Sequence, residues 1–437
     1  PNWTFLLSKF VALIKLVAVL LSLVIISGVI IQASAGYYKF EIGLYLTELL
    51  GLRIWNILVW IMLAILIHTI IPNYLVGFFV TLALGIGISF LSFAGVEQSV
   101  FKYNEGPGFS FSDMNGYGSS LTRYFIYKTY WLLLGVAFYV IGIAFWKRGI
   151  PTTVKNRWKQ GILNFTTPLK ATFAIALIAF LSVGTWIYYT NNVENERLSS
   201  KQREEQRVEW ERLYSKFDGI AQPRIIDVKV DLDIMPETRD FKARAILISK
   251  NKSDKPIDSI HLNHNDYPAK FTFDLANELV LEDSTFNYDI YRLKDPLMPG
   301  DSIILTVELW NKPNTLLRNE SPIINNGTFL NNSLFPIFGY SDANELRDNK
   351  VREKYDLPFK DRMKSPFDRA NLGNTYISSS ADWIDFETTI STAPDQIAIA
   401  PGYLQKEWEE NGRKYFHYKM DSKMLNFYAF QSAKYEV

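Results

Sequence analysis

The sequence predicts a multi-pass α-helical membrane domain followed by an exported antiparallel β-sandwich, and three observations carry that expectation. Five long apolar runs crowd the first 190 residues. A charge-dense stretch follows at 191–222. From residue 223 apolar and polar residues alternate in short runs separated by turn signals. The expected domains are therefore 1–190 for the transmembrane helices, 191–222 for a helical stalk and 223–437 for the β domain.

A membrane span takes about 20 mostly apolar residues, because in lipid every backbone group must find its partner within the segment. Runs at 15–35, 54–71, 73–95, 124–146 and 168–189 meet that requirement. Little more than Ile71-Pro72-Asn73 separates the second run from the third, which makes a tight helical hairpin. The first run is too long for a cleavable signal peptide, and further spans follow it at once. Orientation follows from the basic residues near span ends. Lys147, Arg148, Lys155, Arg157 and Lys159 share a loop with no acidic residue, so that loop is cytoplasmic. Alternating outward from it places the start inside, in agreement with Lys9 and Lys15, and everything after Tyr189 outside. The lipid bilayer is thus the first partner expected. In a bacterium the chain would be multi-pass in the inner (plasma) membrane, with its C-terminal half in the periplasm.

Composition narrows the chemistry. A net charge of +1 gives no reason to expect nucleic acid. The absence of cysteine excludes disulfides, zinc fingers and thiol catalysis. No G-x-x-x-x-G-K-[ST], H-E-x-x-H or G-x-S-x-G occurs, so no Walker-type motor, zinc-hydrolase or serine-hydrolase centre is visible. His68 and Glu97 are the ionisable groups nearest the membrane core, and both sit close to span ends, where hydration accounts for them. The loop 103–120, "YNEGPGFSFSDMNGYGSS", holds five glycines or prolines and four aromatics, and reads as a structured, turn-rich lid over the helices.

Residues 193–217 carry six Lys or Arg and six Glu, and Lys201–Glu205, Arg207–Glu211 and Glu209–Arg212 stand at helical spacing. Trp210, Leu213, Tyr214 and Phe217 form an apolar stripe at i, i+3, i+4 and i+7, so the last turns of the stalk pack onto the next domain. Beyond "GIAQP", Ile226, Val228, Val230, Leu232 and Ile234 alternate with polar residues as a half-buried strand. Further strands are expected at 241–249, 257–263, 270–275, 286–292, 302–310, 382–391, 396–400, 414–419 and 426–437, with an irregular rim at 316–380. His261-x-x-His264 has the look of a metal pair, but residues three apart on a strand face opposite sides. Zinc also needs three or four converging ligands, so no metal site is assigned.

The segment "PRIIDVKVDLDIMPETRDFKARAILISKNKSDKPIDSIHLN" resembles the opening sandwich of the aminopeptidase N family of zinc peptidases. "SLFPIFGY" and "ADWIDFETTISTAPDQIAIAPGYL" resemble the end of that sandwich. "FHYKMDSKMLNFYAFQSAKYEV" is similar to the strand that crosses into the catalytic domain. With five spans, "FSDMNGYGSSL" and the charged stalk ahead of it, the whole resembles bacterial fusions of an ABC-exporter-type permease with an aminopeptidase N-like exported region.

That resemblance implies that the chain is an internal fragment, opening at Pro1 and leading on past Val437. Peptide hydrolysis, its zinc and its glutamate base would come from a catalytic domain outside the chain, so no cofactor is bound by this chain and no catalytic residue is assigned to it. A separate ABC ATPase subunit, a second permease copy and a peptide substrate are the partners it implies. Soluble members carry an acidic "DEP"-like phrase where Gly339-Tyr340-Ser341-Asp342 stands here. Because the family's rim helps to hold the substrate's amino end, Tyr340 and Glu345 are the candidate rim residues. The alternative reading is non-enzymatic: an export or assembly subunit whose sandwich binds peptides or partner proteins.

Overall fold

A computed structural model describes residues 2–71, 73–146, 154–195, 197–311, 321–361, 365, 367, 369 and 380–436. Its contacts divide the chain into two compact units, Pro1–Ser110 with Ser119–Arg197, and Phe111–Gly118 with Leu198–Val437.

The first unit is helical: α1 (Asn2–Ser34), α2 (Ile42–Leu46), α3 (Ile54–Ile70), α4 (Tyr74–Phe90), α5 (Ser120–Phe145), α6 (Val154–Asn164) and α7 (Thr167–Tyr189). All five apolar runs are helices, and among the described residues four helical stretches are long and apolar enough to cross a membrane: Asn2–Ser34, Ile42–Ile70, Ser120–Phe145 and Thr167–Glu194. These helices are consistent with membrane association. The third expected run gives α4, which has 17 residues and a rise of about 25 Å, short of a hydrocarbon core of about 30 Å. Asn73 caps it, its side chain accepting from the N–H groups of Leu75 and Val76, while Pro72 of the expected turn lies outside the described residues. Lys147 and Arg148 of the basic loop lie outside the described residues, as do the side chains of Lys155 and Arg157.

Leu6, Ile61, Ile65 and Ile143 form an apolar centre among α1, α3 and α5. Polar groups cluster instead around the first half of the turn-rich loop. Tyr103 donates to the Val59 carbonyl (2.8 Å), Asn104 to the Asn56 carbonyl (2.8 Å), and the Trp131 indole to the Glu105 carbonyl (2.6 Å). Lys128, buried on α5, gives two hydrogen bonds to Asn104, at 2.8 Å to its carbonyl and 2.9 Å to its Oδ1. The residues 103–105 are thus stitched to α3 and α5, while Phe111–Gly118 belong by their contacts to the second unit. His68 stands in the last turn of α3 and Glu97 in the loop after α4, both at helix ends.

The second unit opens with α8 (Ser200–Tyr214) and continues as strands β1 (Arg224–Met235), β2 (Asp240–Lys250), β3 (Ile257–Asn263), β4 (Ala269–Phe273), β5 (Asn277–Asp283), β6 (Tyr288–Leu297), β7 (Ser302–Trp310), β8 (Thr328–Asn331) and β9 (Ile337–Phe338). A short helix α9 (Asn349–Lys354) precedes β10 (Trp383–Thr392), β11 (Ile397–Ile399), β12 (Tyr403–Glu410), β13 (Arg413–Lys419), β14 (Met424–Leu425) and β15 (Ala429–Ala433). A large sheet runs β12-β13-β10-β1-β2-β7-β4, with β14 beside β10. Smaller sheets run β11-β15-β8 and β5-β6-β3-β9.

Alternation explains the packing. Val228, Val230, Leu232 and Ile234 of β1 point into one apolar core shared with Phe241, Leu247, Leu305, Ile384, Phe416 and Phe430, while Asp227, Lys229, Asp231 and Asp233 occupy the opposite face. The pairing is mostly antiparallel, but β10 runs parallel to β1, Asp227 opposite Asp385 through Asp233 opposite Ser391. Parallel neighbours need a long crossover rather than a hairpin, and residues 236–382, which include β2 to β9, separate these two. Part of the expected irregular rim within that crossover lies outside the described residues.

The β12–β13 hairpin turns on Asn411-Gly412, both at positive φ (51° and 73°), the backbone that a two-residue turn of the right twist demands. Gly402 has φ +102°, and a Cβ there would stand 2.6 Å from the Lys419 backbone, so only glycine fits where β12 begins.

Candidate functional site

The helix α8 is where the second unit concentrates its polar chemistry. A capping box starts it: the Ser199 hydroxyl accepts from Gln202 N–H, and the Gln202 side chain accepts from Ser199 N–H. Trp210, 1% exposed, stacks on Tyr340 (5.4 Å between centroids, 8° between planes) and meets Tyr288 edge-on at 5.2 Å. Its indole N–H donates to the Ser341 carbonyl at 3.1 Å. One residue on, Glu211 accepts both Arg352 guanidinium nitrogens at 2.8 and 2.7 Å. Arg352 is 2% exposed and also donates to the carbonyls of Leu346 and Pro358. The hydrogen bonds to Glu211 raise its pKa further, so the guanidinium is fully charged in a dry site.

Tyr340 and Glu345 lie inside this assembly. Tyr340 donates to Glu345 Oε1 at 2.6 Å, Lys360 donates to the other carboxylate oxygen, and Arg207 of α8 donates to the Glu345 carbonyl at 3.2 Å. Both side chains are buried, at 8% and 4% exposure. Burial and the Glu345 carboxylate push the Tyr340 phenol above its ordinary range. The two residues read from the sequence are therefore neighbours, with their polar atoms directed at each other. For either to touch a substrate, the segment between Ser341 and Lys360 would first have to open. Sequence reasoning set Glu211 beside Arg207 and missed its partner Arg352, because an ion pair whose partners stand 141 residues apart leaves no local pattern.

The two histidines singled out in the sequence, His261 on β3 and His264 just after it, have separate surroundings. His261 is buried, its Nδ1 2.8 Å from the Tyr288 hydroxyl and its Nε2 3.1 Å from Ser259, with the Phe217 ring against it at 4.7 Å. His264 Nε2 lies 3.5 Å from Asp289, and its Nδ1 is 2.9 Å from the Asn265 carbonyl. No group of three or more His, Asp or Glu converges into a metal site among the described residues.

These surroundings set opposite pH responses. Burial lowers the His261 pKa from 6.5 to about 4, so the folded ring stays neutral while the unfolded one takes up a proton near 6.5. Its contribution is intact above that pH and is lost on the way down to pH 4, by about 3 kcal/mol in all. For His264 burial acts downward, but the bonds to Asp289 and Asn265 outweigh it and the pKa rises. Its contribution is therefore present below 6.5 and lost as pH climbs through the raised value. Urea unfolding at about pH 4.5 and about pH 7 is expected to show a fall in stability at the lower pH that His261→Asn largely abolishes. An equally steep fall in the variant would contradict this assignment.

No protein-family model and no curated relative matches this sequence. Solved structures do. Over about half its length the chain is similar in structure to an M1 zinc metallopeptidase from Deinococcus radiodurans, with 13% identity, a TM-score of 0.29, and coverage of 49% of this chain and 43% of that one. A variant of that enzyme bound to a Tyr-Ser-Ala substrate matches with 14% identity, a TM-score of 0.29, and coverage of 48% and 42%. A two-domain M1 zinc metallopeptidase variant bound to L-tryptophan matches with 13% identity, a TM-score of 0.28, and coverage of 49% and 43%. The chain spans less than half the length of these enzymes.

Proposed function

We propose that this chain is the membrane-anchored, peptide-handling front part of an aminopeptidase N-like zinc peptidase, fused to an ABC-exporter-type permease. One observation carries the reading. The two sequence segments that resemble the family's sandwich lie far apart in the chain, yet they supply adjacent strands: β1 and β2 come from the first, β10 from the second, and β1 pairs with both. A resemblance by chance would have no reason to select hydrogen-bonded neighbours. The apolar helices support the anchor, and the basic loop after α5 supports a periplasmic β domain, since basic residues are retained on the cytoplasmic side. Hydrolysis itself would be carried out by zinc and a glutamate base in a catalytic domain beyond this chain. An ATPase subunit and a second permease copy would complete the transporter.

The test is to read the gene past codon 437 and assay the whole protein on aminoacyl-anilide substrates with and without a chelator. H-E-x-x-H, a downstream glutamate and chelator-sensitive cleavage are the expected result. Replaced ligands, or a frame that stops, would remove the enzyme and leave a permease-borne module that binds peptides or partner proteins.

A further inference from the structure

The outer face of the large sheet carries a groove of 560 Å³ that the peptidase reading does not use. Asp231 and Asp233 of β1, Lys242 and Arg244 of β2, and Glu308 and Trp310 of β7 line it. Cross-strand register puts them in two adjacent rows: Asp233 opposite Lys242 opposite Trp310, and Asp231 opposite Arg244 opposite Glu308. Trp310 is 43% exposed, in phase with the outward residues of a strand whose alternate residues are core. Its indole N–H, the Lys242 ammonium and the Asp231 carboxylate make no hydrogen bond with the described residues. Asp233 is held in place, accepting from the Ser391 hydroxyl, which in turn accepts from Arg413 at 2.7 Å. The row continues through Ser391 to Tyr415, which stacks on Trp408 (5.1 Å, 11°). An aromatic group thus closes each end of a polar row, four strand intervals or about 19 Å apart.

The chemistry selects a ligand. Three carboxylates and two cations nearly cancel, so the groove does not select a strongly charged molecule. It is open to solvent along its length, so it does not enclose an aliphatic side chain. It offers hydrogen-bond donors and acceptors side by side along an open groove, next to an exposed indole. A ring with a weakly apolar face and hydroxyls that both donate and accept satisfies all of these groups together. We propose that the groove holds a short neutral oligosaccharide, one sugar ring on Trp310 and its hydroxyls on Asp231, Asp233, Lys242 and Arg244.

The experiment is calorimetric titration of the full chain, in a detergent without a sugar headgroup, with cellohexaose and with chitohexaose. Saturable binding of at least one sugar is expected. Trp310→Ala should weaken it by about tenfold or more, and Trp310→Phe, which keeps a flat ring, should retain most of it. If circular dichroism shows that Trp310→Ala fails to fold, the pair Asp231→Asn with Lys242→Gln replaces it and should weaken binding comparably. No saturable heat from either sugar at millimolar concentration would overturn the proposal. So would undiminished binding by the Trp310→Ala or the paired variant, or Trp310-dependent binding of a mixed-charge peptide with both sugars silent.

Discussion

Glu211→Ala is expected to destabilise the second unit by about 3–5 kcal/mol, because it strands the Arg352 charge in a dry site. Two carbonyls would still accept from the guanidinium, but neither neutralises it. Removing both charges is a different experiment. Glu211→Leu with Arg352→Met leaves no buried ion and restores apolar packing, so the double variant is expected to lie within about 1–2 kcal/mol of the parent. Hydrogen exchange of the full chain reads the local effect, with protection lost in α8 and α9 and largely retained in β1, β2 and β7. A Glu211→Ala loss below about 1 kcal/mol would mean that the pair does not anchor the helix.

Trp210→Ala should cost a comparable amount, about 3–5 kcal/mol, through the cavity left among Tyr340, Tyr288, Tyr214 and Phe286. The neighbouring rings are held by several elements and cannot all collapse inward, so the void stays largely open. Trp210→Phe separates packing from hydrogen bonding. It keeps a ring on Tyr340 but leaves the Ser341 carbonyl only the long bond from Asn344 N–H (3.4 Å), for about 1 kcal/mol. Because Trp210 and Glu211 are adjacent and grip the same segment, combining Trp210→Ala with Glu211→Ala should cost less than the sum of the two. Strict additivity would show that the ring cluster and the ion pair act independently.

The residues of α8 also show where sequence reasoning succeeds and where it stops. The stripe Trp210, Leu213, Tyr214 and Phe217 announces a helix that docks, and Trp210 and Tyr214 are buried, whereas Leu213 is 42% exposed. The surrounding charges read as a solvated stalk, yet Glu211, Arg207, Arg212 and Glu204 all bond to residues between 345 and 355. Charge on a helix looks the same whether water or a distant guanidinium satisfies it. Missed strands have a parallel explanation. β12 and β5 expose most of their residues, and an edge strand without a buried face carries no alternation to read. β8, β9 and β14 are two to four residues long, below the length at which a period is defined.

Features that depend on near neighbours were legible in the sequence. Apolar runs of membrane length became helices, and alternation set the buried face of β1. Asn411-Gly412 made the hairpin turn, and Ser199 with Gln202 the helix start. Each is decided within a few residues by hydrogen bonding, solvent transfer or steric limits. The parallel alignment of β1 with β10, the burial of Tyr340 and Glu345, the pairing of Glu211 with Arg352 and the two rows on the outer face of the sheet arise from packing. Those depend on which surfaces meet when separate elements pack, and the free energy of such a meeting belongs to both partners at once.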